Sequence, residues 1–178
     1  MSQAPTTLQP GDHSIPALDG RATLTRSAVP ADRTAVSAVH ARCGAESRHR
    51  RHHTARQRLT RSEWRSLTSQ DRGLTWVTRP ADAPDLFIAA THLLRVPVAR
   101  TGELAILVED AWQSVGLGTK LVRRTLGEVH RLGMASAHEL TDRDNHRVLS
   151  PCRSLSACVR DARGGTVDLT LPMSGDVS

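Results

Sequence analysis

Residues 103–120 read ELAILVEDAWQSVGLGTK and predict a strand, a glycine-containing loop and the start of a helix. Residues 103–108 have little polar interruption after the glutamate, which predicts a strand buried on both faces. Residues 118–132 place leucines and valines on one broad face and arginines opposite, which predicts an amphipathic helix ending before Gly133. The loop QSVGLGTK, residues 113–120, therefore carries the chain from a buried strand into a helix.

Such a loop leaves the first N–H groups of the helix without intrahelical acceptors. Together with the positive end of the helix dipole, these groups suit a phosphate or pyrophosphate, and Gly116 and Gly118 would let it approach the backbone. The spacing excludes a Walker loop, because Lys120 lies two residues after Gly118, whereas the Walker lysine follows its glycine directly. It also excludes a dinucleotide fingerprint, because the third glycine is absent. A tight turn without a ligand stays open on the loop alone.

The sequence around the loop resembles a known family. Residues 108–118, VEDAWQSVGLG, resemble the V-x-D-x-x-Q-x-x-G-x-G signature of the GNAT N-acetyltransferases. Residues 144–155, DNHRVLSPCRSL, resemble that family's N-x-x-x-L…Y-x-x-L-G-F segment, and the order of elements fits over residues 22–173. More weakly, residues 41–52 are similar to an S-P-E-S-x-Y-x-R-F stretch in GNAT domains of some bacterial protein-lysine acetyltransferases, with His49 and His52 at the aromatic positions.

The resemblance implies an α/β (α+β) fold with a mixed, mostly antiparallel central sheet of about six strands and helices on both faces. It implies that the sheet is splayed at the site of acetyl-CoA, the co-substrate, and that the acceptor is an amine. The pyrophosphate would lie on the backbone amides of residues 113–119, and the pantetheine along the strand edge. The implied binding residues are Leu107, Val108, Gln113, Ser114, Val115, Gly116, Leu117, Gly118, Thr119 and Asn145.

Acyl transfer to an amine needs a base for the ammonium proton and a donor for the developing oxyanion. The resemblance places that donor at the Val108 N–H. Glu103, at the start of the strand, is the candidate base, and a solvated strand-end carboxylate is the alternative. The family's acid is a tyrosine on the last helix. The chain has no tyrosine, and Cys152 stands at that position as either a proton donor or a packing residue.

Pro151 falls where the family's last helix would already be under way. Proline disrupts a helix interior, whereas Ser150-Pro151 is a favourable helix start. The sequence therefore predicts a helix from about 150 to 158, with Asn145 in the preceding loop, which weakens the case for its CoA contact. The family's closing Gly-Phe pair is replaced by Ser156-Ala157.

The rest of the chain predicts one domain. Residues 1–20 are rich in proline, glycine and small polar residues and predict a flexible N-terminal tail, followed by a domain at 21–174 and a C-terminal tail at 175–178. Thr60 with Glu63 three residues later predicts a capping box. The further predicted strands are 22–27, 74–78, 86–94, 135–140 and 166–173, and a helix is predicted to begin at Val29-Pro30.

Charge and cysteine content limit the cellular location and the kinds of partner that the sequence predicts. The net charge is +6 and the three cysteines are odd in number, so a reduced, cytoplasmic chain is the simplest interpretation. No 18-residue apolar run predicts a membrane span. The basic segment 48–65 is an alternative nucleic-acid surface, but it lacks interleaved aromatic residues, so nucleic acid is disfavoured. Its histidines have no matching carboxylate or cysteine, so no metal is predicted, and a homodimer stays open.

Three functions stay open from the sequence. The first is acetyl transfer from acetyl-CoA to an amine, either a small molecule or a protein lysine. The second is a degenerate module that binds acyl-CoA with little catalysis, which the missing tyrosine favours. The third is a basic nucleic-acid-binding protein.

Overall fold

The computed structural model describes residues 11–44, 59–96 and 99–172. The helices are α1 (Arg33–Arg42), α2 (Arg61–Leu67), α3 (Leu117–Arg131) and α4 (His146–Ser154). The strands are β1 (His13–Ser14), β2 (Thr23–Ser27), β3 (Gly73–Pro80), β4 (Ala89–Arg95), β5 (Thr101–Val108), β6 (Ser136–Asp142), β7 (Cys158–Asp161) and β8 (Thr166–Pro172).

The strands form one sheet in the order β1-β2-β3-β4-β5-β6-β8-β7. All neighbours in it are antiparallel except β5 and β6, so the predicted mixed, mostly antiparallel sheet is confirmed. The described residues form eight strands where about six were expected. The two additional strands, β1 and β7, are only two and four residues long and lie at the sheet edges. Strands this short carry no alternation that sequence patterns could reveal.

Helices cover both faces of the sheet, as expected, and each face has its own core. On one face, α1 and α2 pack Val36, Val39 and Trp64 against strand residues that include Val77 and Leu107. On the other face, the apolar sides of α3 and α4 pack against the β3–β6 region and β8. This second core contains Trp76, Leu93, Leu104, Val122, Leu126, Val129, Leu149, Cys152, Leu169 and Leu171.

Local signals at α2 are confirmed. Thr60 is the N-cap of α2, its hydroxyl accepts a hydrogen bond from the Glu63 N–H, and the Glu63 carboxylate accepts one from the Thr60 N–H. This reciprocal pair satisfies two N–H groups that the helix itself cannot satisfy. Thr60 and Glu63 therefore fix where α2 begins.

The predicted start of the last helix at residue 150 is wrong. Helix α4 begins at His146, with Asn145 as N-cap, and Pro151 lies inside it. Leu149 and Cys152, three residues apart on one helix face, are both buried in the core. Packing of that face extends the helix through the proline, so the tertiary contacts override the local preference of Ser150-Pro151 for a helix start.

The N-terminal segment 11–20 differs from the expected tail, because it lies on the domain. β1 pairs with β2, and Ile15 is buried in a third core beside Leu117 and Leu121. The Asp12 carboxylate lies 2.7 Å from the Arg79 guanidinium, and both side chains are buried. Residues 1–10 and 173–178 lie outside the described residues, so the domain limits at 21 and 174 stay predictions.

In the part of the chain that the structure describes, no helix has the length and apolar character needed to cross a membrane.

Candidate active site

Strands β5 and β6 separate part-way along their length. Their parallel pairing covers Thr101–Glu103 on β5 and Ser136–His138 on β6. Beyond these residues β5 continues to Val108 and β6 to Asp142, and no further pairing joins the two among the described residues. The sheet is therefore splayed at this point, as the expected fold requires.

A cavity of about 560 Å³ begins at the splay, and we call it the site cavity. It is within the size range of small-molecule and cofactor sites. It joins the open edge of β5 to the N-terminus of α3 and to the cavity-facing side of α4. Its lining residues are Leu18, Ile106, Leu107, Val108, Gln113, Ser114, Gly116, Gly118, Thr119, Val122, Glu139, Asn145, His146, Arg147, Val148, Ser150, Pro151, Cys152 and Ser154.

The loop before α3 is held by side chain to backbone hydrogen bonds. Gln113 Nε2 donates to the Val108 carbonyl at 2.7 Å and to Asp110 Oδ1 at 3.0 Å. Asp110 Oδ2 in turn accepts from the Gly44 N–H at 2.9 Å, which ties the loop to the end of α1. Asp110 and Gln113 therefore shape the loop, because their side chains are engaged in hydrogen bonds within the protein.

Two residues of the loop have left-handed backbone conformations. Ser114 has φ 60° and Gly116, the N-cap of α3, has φ 73°. Glycine adopts this conformation at little cost, whereas an L-residue is strained there. Gly116 is therefore required by the turn itself.

Gly118 has a different reason to be glycine. It lies in the first turn of α3, where glycine is less favourable than alanine by up to about 1 kcal/mol. A Cβ atom at this position would meet nothing within 4 Å, and the residue lines the site cavity. Neither φ nor packing in the free protein requires a glycine here. The space that a side chain would fill is therefore available to a group bound against the backbone.

The N-terminus of α3 provides donors for that group. No side chain caps this helix end, and its first intrahelical hydrogen bond joins the Lys120 N–H to the Gly116 carbonyl. The N–H groups of residues 117–119 accordingly have no acceptor within the helix. Three free donors at the positive end of a 15-residue helix fit an anionic pyrophosphate.

The N-terminal segment borders the same loop. The Leu18 N–H donates to the Val115 carbonyl at 2.8 Å, and Lys120 Nζ donates to the Pro16 carbonyl at 2.5 Å. Leu18, 74% exposed, lies beside Gly116 and forms part of the cavity wall. The guanidinium of Arg21 lies 3.7 Å from the centre of the Trp112 ring. Sequence patterns gave no signal for this wall.

The backbone of Val108 faces the open side of β5. Glu109 N–H donates to the Ile88 carbonyl at 2.8 Å, and the preceding pair in the register is Ala89 with Val108. Successive pairs of an antiparallel ladder alternate between bonded and non-bonded, so the Val108 N–H and C=O point away from β4. The Val108 carbonyl accepts from Gln113 on that side, and the Val108 N–H points into the splay.

The structure brings together most of the residues implied to bind the co-substrate. Eight of them line the site cavity, namely Leu107, Val108, Gln113, Ser114, Gly116, Gly118, Thr119 and Asn145. The side chains of Leu117 and Val115 instead pack in the core around Ile15. Asn145 occupies the N-cap position of α4 and is buried, but its side chain makes no capping hydrogen bond; its Nδ2 donates to Thr141 Oγ1 at 2.7 Å. Asn145 therefore organises the α4 end of the cavity.

Glu103, the candidate base, lies outside the site cavity. It is exposed, and it belongs to the paired part of β5, opposite Leu94 and His138. Val108 is five residues further along the strand, which is about 17 Å at the usual strand rise. Glu103 does not line the site cavity.

Cys152 lines the cavity and is fully buried. Burial raises the pKa of its thiol to about 12, and the charge of Glu139 adds to this increase. Glu139 lies on β6 and is itself a lining residue. Sequence reasoning missed Glu139, because the neighbouring Leu140 would be taken as the inward residue of the strand.

The basic segment gives less information. Residues 45–58 lie outside the described residues, and this range includes most of segment 48–65 and of the stretch 41–52. Within ranges 11–44, 59–96 and 99–172, no cluster of three or more His, Cys, Asp or Glu side chains could hold a metal ion.

Comparison with solved structures identifies the fold. The GNAT domain of PAT from S. lividans superposes with a TM-score of 0.80 at 17% identity, over 90% of this chain and 96% of that one. The chain has the GNAT fold. No protein-family model matches the sequence, and no curated protein matches it.

Two further similar structures contain ligands. yncA from Salmonella typhimurium, solved with its cofactor acetyl-CoA, has a TM-score of 0.69 at 17% identity, over 88% of this chain and 96% of that one. Spermidine N-acetyltransferase from Vibrio cholerae, solved with CoA and spermine, has a TM-score of 0.67 at 11% identity, over 85% of this chain and 96% of that one. The predicted GNAT resemblance is confirmed at the level of the fold.

Proposed function

We propose that this chain is a GNAT-type N-acetyltransferase that moves an acetyl group from acetyl-CoA to an amine. The observation that carries the proposal is the site cavity, which joins an unpaired strand edge to an uncapped helix N-terminus. The strand edge suits the amide groups of a pantetheine, and the helix end suits its pyrophosphate. One elongated ligand with both groups would use both ends of the cavity.

Each part of the site has a role in this proposal. The N–H groups of residues 117–119 bind the pyrophosphate, and Gly118 leaves space for it. The open edge of β5 at Val108 pairs with the pantetheine, whereas the alternation of the ladder turns the backbone of Leu107 toward β4. The neutral amine attacks the thioester carbonyl in a ternary complex, so that a C–N bond forms, the C–S bond breaks and the CoA thiolate leaves. The Val108 N–H donates to the oxyanion that develops in this step.

The identity of the acceptor is a separate question. The Vibrio cholerae neighbour is a spermidine N-acetyltransferase, and the S. lividans neighbour is the GNAT domain of PAT. For this chain we propose a primary amine, either on a small molecule or on a protein lysine. A cytoplasmic location is consistent with Cys43, Cys152 and Cys158, none of which forms a disulfide. A homodimer stays a prediction.

The proposal is tested by thermal melting with and without acetyl-CoA, using Gly118→Glu and its matched control Gly127→Glu. Both glycines lie on α3, and a Cβ at either would meet nothing within 4 Å, so both variants should fold. At 100 times its Kd, acetyl-CoA should stabilise the wild type by about 2.7 kcal/mol. We expect Gly127→Glu to keep this shift and Gly118→Glu to lose it, because its side chain and charge would occupy the pyrophosphate position.

No shift in the folded wild-type protein would overturn the proposal. Equal shifts in the two variants would mean that acetyl-CoA binds away from α3. The first outcome would make the basic segment 48–65 and nucleic acid as a partner, which this proposal disfavours, the better hypothesis.

An acyl-CoA-binding module without turnover is the second candidate. Two observations favour it, the absence of tyrosine and the high pKa of Cys152, about 12, which makes that thiol a poor proton donor. Release of free CoA thiol in the presence of a panel of amines separates the two candidates. Binding without release would favour the module.

A further inference from the structure

The strand β6 reverses the usual placement of polar and apolar side chains at two adjacent residues. Glu139 is 7% exposed, whereas Leu140 is 53% exposed. The neighbours of Glu139 on the same strand face, Ala137 and Thr141, are buried as well. A strand that buries its carboxylate and exposes its leucine is unfavourable for stability alone. Such departures from the expected pattern are concentrated at functional sites.

Glu139 lies at the point where the two strands separate. The last paired residues of β5 and β6 are Glu103 and His138, so Glu139 is the first residue of β6 inside the splay. It shares the cavity wall with Val108, whose N–H points into the same gap. The buried carboxylate thus lies in the cavity that would hold the thioester.

The other buried titratable side chain of the cavity, Cys152, is held in its protonated form. Burial, followed by the charge of Glu139, raises the pKa of its thiol to about 12. An ordinary thiol has a pKa of about 8.5. A proton transfer from Cys152 to a departing CoA thiolate would therefore be uphill, whereas a carboxylic acid would deliver a proton to that thiolate readily.

We propose that Glu139 is the carboxylate that carries the proton in acetyl transfer. The inference rests on the proposed N-acetyltransferase function and names the catalytic residue of that site. As the C–N bond forms, the carboxylate of Glu139 accepts the proton lost by the amine nitrogen. As the C–S bond breaks, the same proton passes to the sulfur, so that the products are the acetylated amine and CoA thiol.

Steady-state kinetics of Glu139→Gln against the matched control Glu128→Gln test this assignment. Glu128 lies on α3 outside the site cavity and is paired with Arg131. We expect Glu139→Gln to lower kcat at least 100-fold, within the usual range for loss of general acid–base catalysis. Its Kd for acetyl-CoA, measured by thermal shift, should stay within about threefold of wild type, because the pyrophosphate and pantetheine contacts are elsewhere. Glu128→Gln should keep both values.

A second variant guards against a structural effect. Glu139→Ala leaves space in the cavity, and formate should restore part of its kcat, because a small carboxylate can take the missing position. A folded Glu139→Gln protein with wild-type kcat would overturn the inference and leave the proposed function intact. Loss of acetyl-CoA binding in Glu139→Gln alone would also overturn it, by making Glu139 a binding residue. If the wild-type protein binds acetyl-CoA but releases no CoA thiol, both the catalytic role of Glu139 and the proposed turnover are rejected. If it does not bind acetyl-CoA, the whole proposed function is rejected.

Discussion

Cys152 shows how strongly its buried surroundings alter the pKa of a single side chain. The sequence resemblance places it at the position of the family's tyrosine, yet its surroundings keep its thiol neutral far above physiological pH. A thiol that stays protonated is a weak nucleophile as well as a weak acid. Our proposal therefore assigns Cys152 to the packing of α4, where it is buried in the core, and assigns the proton chemistry to Glu139.

The raised pKa of Cys152 predicts a loss of stability at high pH. Well below pH 8.5, the usual pKa of a thiol, Cys152 is protonated in both the folded and the unfolded state, so it contributes no pH dependence. Between about pH 9 and pH 12 the unfolded state loses the proton and the folded state keeps it, which favours unfolding. From pH 8 to pH 10 the free energy of unfolding should fall by about 2 kcal/mol through this group.

Urea unfolding at pH 8 and pH 10 measures this loss. Cys152→Ala should remove that part of the pH dependence, and Cys158→Ala, which changes an exposed cysteine, serves as the control. An identical pH dependence in wild type and Cys152→Ala would contradict the prediction.

Single residues also show what the sequence could and could not predict about the site. Gly116 and Gly118 belong to a local motif of fixed spacing, so the loop was predictable from eleven residues. Glu139 was not, because its inward direction depends on how β6 is paired with β8 and β5. Strand alternation in the sequence gives two sets of residues but does not say which set faces the core.

Helix α4 shows the same limit at the scale of an element. The start of α2 follows from Thr60 and Glu63, which lie three residues apart and contact each other directly. The start of α4 does not follow from Ser150-Pro151, since Leu149 and Cys152 pack against distant strands. Sequence signals therefore predict an element boundary well where its determinants are local.

Helix α4 should be more stable without its proline. Pro151 cannot donate to the Arg147 carbonyl, and proline in a helix interior is about 3 kcal/mol less favourable than alanine. Proline also restricts the unfolded chain, which offsets up to about 1 kcal/mol of that difference. We expect Pro151→Ala to raise the free energy of unfolding by about 2 kcal/mol and Tm by about 4–8 °C.

Ser150→Ala provides the matched comparison for Pro151→Ala. If Ser150 capped a helix that began at residue 150, its removal would cost about 1 kcal/mol. Since α4 begins at His146, Ser150 is an exposed interior residue and the change should be neutral or slightly stabilising. A clear loss of Tm in Ser150→Ala, or no gain in Pro151→Ala, would place the helix start at 150 after all.

The whole molecule depends on contacts that connect distant parts of the chain. The N-terminal segment contributes Leu18 to the wall of the site cavity and Ile15 to the core at the start of α3. Its composition, rich in small polar residues, proline and glycine, predicts none of this, because the contacts involve partners about 65 to 105 residues away. The mixed, mostly antiparallel sheet and its splay were predictable only through the family resemblance, because local patterns do not specify which strands pair.

The buried pair of Asp12 and Arg79 should decide whether the N-terminal segment stays on the domain. Their charged atoms lie 2.7 Å apart, and the side chains are only 1% and 2% exposed. Replacing one member of a buried pair leaves the other charge uncompensated, which typically costs 3–5 kcal/mol. We therefore expect Asp12→Asn to lower the free energy of unfolding by about 3 kcal/mol in urea titrations.

The double variant Asp12→Leu/Arg79→Met separates the ion pair from the packing of the segment. Replacing both charges with apolar side chains of similar size removes the need to bury any charge, and such replacements are often neutral or stabilising. The double variant should therefore be more stable than Asp12→Asn and should keep the acetyl-CoA shift, because Leu18 stays beside Gly116. If Asp12→Asn were as stable as wild type, the segment would have to be held by Ile15 and the β1–β2 pairing alone, and the charge pair would contribute nothing to its position.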